Sequence, residues 1–247
     1  MANSRGSGRK RKLKPPGKVV VRSKTYGRHE RAARGTVTPA ELNESMKAYG
    51  ERMIRSNMPA RLIQDAQKPF RANFTGGQLW QSLVKHFAAQ ANEGLEYSVV
   101  GLQSMDLHKY YTTSRIMSPA FNAQYNEVTG SLDMTFNHTP ESSFLKRAHY
   151  VNGFRITIIA MFPDFRKNTI VTLSEVLPHR ALRETVPVSF FIKVPGEAMQ
   201  CLLGYKIEGT KDGNVCASMV TRCMYFSHAI EFHSNPRPLA PQIPSTS

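Results

Sequence analysis

"FRITIIAMFPDFRKNTIVTLSEVL", residues 154–177, decides the fold. Phe154, Ile156, Ile158, Ala160 and Phe162 recur with a period of two, the signature of a strand with one buried face. Pro163-Asp164 punctuates the run. A second apolar run, residues 169–177, comes next with less regular spacing. The pair reads as strand, turn, strand. Working outward, the same period appears in "SLDMTFN" (131–137), with Leu132, Met134 and Phe136 on one face. It recurs in "VSFFIKV" (188–194), with Val188, Phe190, Ile192 and Val194, and in "MQCLLGYKI" (199–207), with Met199, Cys201, Leu203, Tyr205 and Ile207. "VCASMVTRCMY" (215–225) continues it through Val215, Ala217, Met219 and Cys223. Pro195-Gly196 marks a turn, and Lys211-Asp212-Gly213-Asn214 is a strong hairpin signal. Six or seven strands without an intervening helical pattern predict an antiparallel β-sandwich, Ig-like or similar, over residues 119–232. A parallel βαβ sheet is excluded by the same observation.

Upstream, the period changes to that of a helix over residues 37–94. Thr38-Pro39-Ala40-Glu41 reads as a capping box with proline at the first helical position. Leu42, Met46, Tyr49 and Met53, with Ile54 beside them, form an apolar stripe to about Ser56. Asn57 and Pro59 are expected to end this helix and begin another over 59–67, carrying Leu62, Ile63 and Ala66, which Lys68-Pro69 stops. "QLWQSLVKHFAAQANEG" (78–94) has the strongest helical pattern, with Leu79, Trp80, Leu83, Val84, Phe87 and Ala88 in one stripe and Gly94 at its C-terminal stop. Residues 95–118 connect helices to strands. The fold class is therefore α+β: a short helical segment, then an antiparallel sandwich, then a Pro/Ser-rich tail (233–247) without structure of its own.

The chain carries a net charge of +15, and the distribution matters more than the sum. Residues 1–35 hold twelve Lys or Arg and one acid, Glu30, leaving +11; the other 212 residues carry only +4. An arm over 1–36 with so many like charges is expected to stay unfolded. Pro15-Pro16-Gly17 is a further breaker, and Val19-Val20-Val21 is the only apolar run. Charge of this density suits phosphate neutralisation with counterion release, on DNA or RNA. Arg9, Lys10, Arg11, Lys12, Lys14, Lys18, Arg22, Lys24, Arg28, Arg31 and Arg34 are the candidate nucleic-acid-binding residues. Tyr26 and His29 among them can stack on unpaired bases. No segment approaches ~18 consecutive apolar residues, so no membrane association is expected, and the expected location is the cytoplasm.

The residues give no support to catalysis. Cys201, Cys216 and Cys223 lack C-x-x-C spacing and read as buried free thiols of a reducing compartment. His29-Glu30 has no second histidine at zinc-protease spacing. His228 and His233, five apart near a strand end, fall on opposite faces and make poor co-ligands. Gly76-Gly77 precedes a helix but belongs to neither glycine-rich phosphate motif. The five aspartates are dispersed, and Asp106 and Asp133 can meet only through tertiary structure. No cofactor and no metal is expected.

The stretches "TYGRHERAARGTVTPAELN" and "ARLIQDAQKPFRANFTGGQLWQSLVKHF" resemble a family of uncharacterised Bacteroidota proteins. These share a basic N-terminal arm, a "YGRH…RG" segment, a short helical region with G-x-L-W-Q (here Gly77 to Gln81) and an all-β C-terminal half. The resemblance implies an architecture and no activity. A basic arm ahead of a sandwich is also a layout of viral coat proteins. The leading expectation is a non-enzymatic binding or assembly protein whose arm contacts nucleic-acid phosphates non-specifically. The alternatives are a self-associating structural protein of phage or mobile-element type, forming a homo-oligomer, and an enzyme with a site between helices and sandwich.

Overall fold

The β-branched run at Val19-Val20-Val21 and the apolar runs downstream build three separate sheets. A computed structural model of the chain describes residues 18–23, 27–32, 43–71, 79–108 and 112–232. Two units are present, Met1–Ala48 and Tyr49–Ser247.

The first unit holds an antiparallel hairpin of β1 (Lys18–Ser23) and β2 (Gly27–Ala32). This corrects the expectation of an arm unfolded throughout residues 1–36. Three consecutive valines favour the extended backbone, and the inter-strand ladder extends over six residue pairs. Helix α1 (Glu44–Gln67) starts at the end of this unit and continues into the second. Asn43 caps it, its side-chain oxygen accepting the Met46 N–H at 2.8 Å. The capping box at Thr38–Glu41 lies outside the described residues.

The second unit continues with α2 (Leu79–Glu93), β3 (Met105–Asp106), β4 (Met117–Asn126), β5 (Ser131–Pro140), α3 (Ser142–Arg147) and β6 (Gly153–Asp164). It ends with β7 (Thr169–Val176), β8 (Arg180–Ala181), β9 (Val188–Lys193), β10 (Gln200–Lys211), β11 (Asn214–Val215) and β12 (Arg222–Glu231). The larger sheet runs β3-β12-β10-β6-β7, with β11 on β10 and β8 on β6; the smaller runs β4-β5-β9. The pairings are antiparallel, so the expected α+β fold with a mostly β C-terminal half is present.

The central strands β6 and β10 are buried on both faces, which gives the sandwich a third layer. Ile156, Ile158 and Ala160, with Leu203, Tyr205 and Ile207, face the smaller sheet and meet Phe121, Leu132, Met134 and Phe136. Tyr205 lies edge-on to Phe121 at 5.9 Å and near-edge-on to Phe136 at 5.7 Å, the geometry aromatic rings prefer. On the opposite face Ile159, Met161, Leu202, Met224 and Phe226 take Ala60, Ile63, Leu79, Leu83 and Phe87 from the helices. From Tyr49 onward the helices and the strands thus belong to one unit.

Other expectations are corrected. Pro59 does not divide α1, because the helix runs through it and the proline is buried. Its lost N–H removes one backbone bond, and packing against the larger sheet offsets that. The stripe read as core upstream of it is largely outside: Met46, Tyr49 and Ile54 are exposed, Ile54 by 72%. The run 215–225 is not one strand. After β11 the chain makes a 3-10 turn at Met219–Thr221, with the Thr221 hydroxyl donating to the Ser218 carbonyl at 2.7 Å, before β12 begins. The expected hairpin stands, with Asp212 at φ +52 and Gly213 at φ +80, two successive left-handed residues as the tight turn requires. Gly94, at φ +69, ends α2, and the Leu95 N–H reaches back to the Gln90 carbonyl at 3.0 Å. Trp80 is half-buried against the helix-side core. Among the described residues no helix is long and apolar enough to cross a membrane.

Candidate functional site

Directly opposed residues of an antiparallel pair share a face, and successive pairs alternate. In the hairpin Lys18 faces Ala32, Val20 faces Glu30 and Arg22 faces Arg28 on one side. Val19 with Arg31, and Val21 with His29, occupy the other. Lys18, Arg22, Arg28 and Arg31 are exposed, while the three valines are half-buried. The register therefore sets two guanidinium side chains directly opposite each other with a lysine on the same face, against a single carboxylate. Like charges in that arrangement repel, and a two-stranded hairpin is marginal in water even without them. An anion placed between Arg22 and Arg28 would remove the repulsion and accept charge-assisted hydrogen bonds.

Of the eleven candidate residues, four lie on the hairpin: Lys18, Arg22 and Arg28 on one face and Arg31 on the other. Arg9, Lys10, Arg11, Lys12, Lys14, Lys24 and Arg34 lie outside the described residues, as do Tyr26, Gly76-Gly77 and His233. His29 is half-buried on the valine side of the hairpin.

The second unit offers other chemistry, most of it quiet. Cys201 and Cys223 are buried as expected, whereas Cys216 is only half-buried. Burial raises the Cys201 thiol and pushes Cys223 up to about 12, so neither is a ready nucleophile. Burial also raises the Asp106 carboxyl, opposed by the Thr113 N–H that donates to it at 2.8 Å. Asp133 belongs to the other sheet, where Asn126 and Ser131 donate to its two oxygens at 3.0 and 2.9 Å. The two carboxylates thus have separate partners on separate sheets. Among the described residues, no group of three or more His, Cys, Asp or Glu is placed to hold a metal.

One ionic cluster escaped the sequence reading. Glu208, on β10, is almost fully buried. Its carboxylate takes two hydrogen bonds from Arg155 (3.1 and 2.6 Å), lies 3.0 Å from the Lys206 ammonium and 4.0 Å from the Arg222 Nε. Burial pushes its pKa up, but the bonds from Arg155 and Lys206 outweigh this and hold the carboxyl below its ordinary value. The register explains the meeting: Glu208 pairs with both Arg155 and Arg222. Lys206-Ile207-Glu208, two charges on one face of an otherwise apolar strand, was the available signal. Set against protein-family models, curated proteins and solved structures, the chain finds no match in any of the three.

Proposed function

We propose that this is a non-enzymatic binding or assembly protein whose basic N-terminal segment grips nucleic-acid phosphates without reading sequence. The observation that carries the reading is the register of the hairpin, with Arg22 opposite Arg28 and Lys18 on the same face. A two-stranded ribbon fits the major groove of duplex DNA, and its guanidinium groups suit phosphate oxygens. The flanking Arg9, Lys10, Arg11, Lys12, Lys14, Lys24 and Arg34 add charge that any polyanion backbone meets, DNA or RNA. The reading places the protein in the cytoplasm, where the thiols of Cys201, Cys216 and Cys223 stay reduced.

The test uses the full chain, freed of nucleic acid in high salt and then titrated with duplex DNA, single-stranded DNA and RNA. Binding to all three is expected, with a log–log salt slope of about −7 on duplex DNA for about eight phosphate contacts. Single substitutions should weaken binding slightly, and neutralising four or more should weaken it severely and flatten its salt dependence. A single substitution that eliminates binding contradicts a shared phosphate grip.

A second reading, self-association, is favoured by the exposed Ile54 and Met58, one turn apart on α1, because exposed apolar patches mark interaction sites. Sedimentation at several concentrations decides it: a species that stays monomeric throughout removes this reading.

A further inference from the structure

The larger sheet ends on β7 (Thr169–Val176), eight residues that pair with β6 and, among the described residues, with no other strand. The register fixes which of its backbone groups are spare. Just past the strand, the Leu177 N–H donates to the Ile156 carbonyl at 2.9 Å. Leu177 and every second residue before it therefore bond toward β6. Pro163 of β6, with no N–H to give, accordingly opposes Ile170, which lies between two such residues. Ile170, Thr172, Ser174 and Val176 thus turn their N–H and C=O groups outward, away from β6.

An open edge of this kind templates further strands, and proteins blunt it with proline, lysine, bulges or short length. The smaller sheet does so. The Glu141 N–H donates to the Ile116 carbonyl, a phase that turns Pro119 outward on β4. The Val194 N–H donates to the Gly130 carbonyl, which turns Lys193 outward on the shorter β9. Strand β7 has neither device: "TIVTLSEV" holds no proline and no cation, and its ladder with β6 runs without a register shift. On it, Val171 and Val176 are 47% and 59% exposed.

We propose that β7 pairs antiparallel with β7 of a second copy about a two-fold axis at Leu173, joining the two larger sheets edge to edge. This rests on the self-association reading above and names its surface. Only residues with outward backbone groups can exchange bonds, and centring on Leu173 uses all four. Ile170 bonds to the partner's Val176 and Thr172 to the partner's Ser174, and the converse pairs follow by symmetry. Centring on Thr172 leaves Val176 without a strand partner, and centring on Ser174 sets Ile170 against Pro178, which has no N–H. The side chains agree with the Leu173 register. Ile170 meets a valine, Thr172 meets a serine hydroxyl and Leu173 meets its own copy. The one charge of the strand, Glu175, falls opposite Val171, so no like charges oppose each other. The exposed pair on α1 adjoins this edge: Asn168, next to β7, lines one groove with Ile54 and Met58. The partner's Val176 arrives at that end of the strand. A dimer so formed carries two basic N-terminal segments, so a polyanion long enough to meet both is held with added avidity.

The test is sedimentation equilibrium of the full chain, freed of nucleic acid, over a range of concentrations. A monomer–dimer equilibrium is expected. Ser174→Pro takes from each copy one N–H that points away from β6, two interchain bonds in all, and should raise the dimer Kd about 30-fold. The melting temperature of the monomer should hold, because an edge strand tolerates proline where its N–H faces outward. Val176→Lys, at an exposed side chain, leaves the backbone intact and should weaken the dimer likewise. The register is read by mixing Val171→Cys and Glu175→Cys proteins under mild oxidation, since directly opposed residues lie within disulfide reach. The mixture should cross-link one protein to the other, and neither variant alone should cross-link beyond the wild-type level. A dimer unchanged by both Ser174→Pro and Val176→Lys overturns pairing through β7 and leaves self-association by another surface. A monomer at every concentration overturns both. Cross-linking of either variant alone that matches the mixture overturns the register.

Discussion

Replacing Glu208 by Gln removes the one negative charge from a cluster of three cations without changing its size. The outcome depends on which cations can escape to water. The Arg155 side chain is 47% exposed and can turn outward, whereas those of Lys206 and Arg222 are only 12% and 7% exposed. Breaking a buried pair by removing one partner costs about 3–5 kcal/mol, because an uncompensated charge stays behind. For a chain of this size each kcal/mol moves the melting temperature by about 2–4 °C, so a fall of about 6–20 °C is expected by calorimetry. Arg166→Ala is the control: its ion pair with Glu96 is exposed by 82% and 81%, and its loss should cost at most about 1 kcal/mol. Acid supplies an independent check. The native Glu208 carboxyl lies below its ordinary value of 4.5, so the unfolded state takes up the proton first as pH falls. Its contribution is fully present above the unfolded value and is lost as pH drops through the native one. The gap between wild type and Glu208→Gln should therefore narrow below about pH 4. A variant within 1 kcal/mol of wild type, or a gap that stays constant into acid, refutes the reasoning.

Burial lowers the His138 pKa, and the nearby Arg180 charge lowers it further against Glu184, so the ring stays neutral in the native state at pH 7. The unfolded state then binds protons first below about pH 6.5, and stability falls as pH drops. His138→Leu should reduce the pH dependence of chemical-denaturation stability between about pH 6.5 and 5, leaving the slope from His228, whose pKa burial lowers likewise. Gly204 sits at the register shift between β10 and β12, where an added Cβ would lie 2.8 Å from the Tyr225 carbonyl oxygen. Gly204→Ala should cost about 1–3 kcal/mol by overpacking, seen as a lower urea midpoint. Phe87→Ala empties the centre of the helix-side core, where Phe87 is fully buried. It should cost about 3–5 kcal/mol and make the amides of α2 exchange faster than those of β5.

The strand framework was legible because β5, β6, β9 and β10 each carry a two-residue apolar period toward the core between the two sheets. What the period concealed was the second buried face. Ile159 and Met161 break the alternation of β6, and they do so because helices cover them. Strand β4 was missed for the opposite reason: only Met117 and Phe121 are buried along it, too few to set a period. Pro59 misled because the penalty for an internal proline is local, while the burial that offsets it is tertiary. The hairpin was hidden because its valines are consecutive and "GRHERA" contains no large apolar residue, so neither strand alternates. The candidate cations were legible as charge, but their pairing across strands depends on a register that composition does not encode. The Glu208 cluster required residues from three strands, with only Lys206 and Glu208 adjacent enough to notice.

The central claim, a phosphate grip built on the hairpin, is tested most directly by one comparison. The full chain and its K18Q/R22Q/R28Q/R31Q variant are titrated with a fluorescent duplex by anisotropy at four or more salt concentrations. Each lost phosphate contact should flatten the log–log salt slope by about 0.9, so the variant should bind more weakly with a slope shallower by about 3–4. Equal affinity and equal slope for the two proteins would contradict the account and move any nucleic-acid contact away from the hairpin.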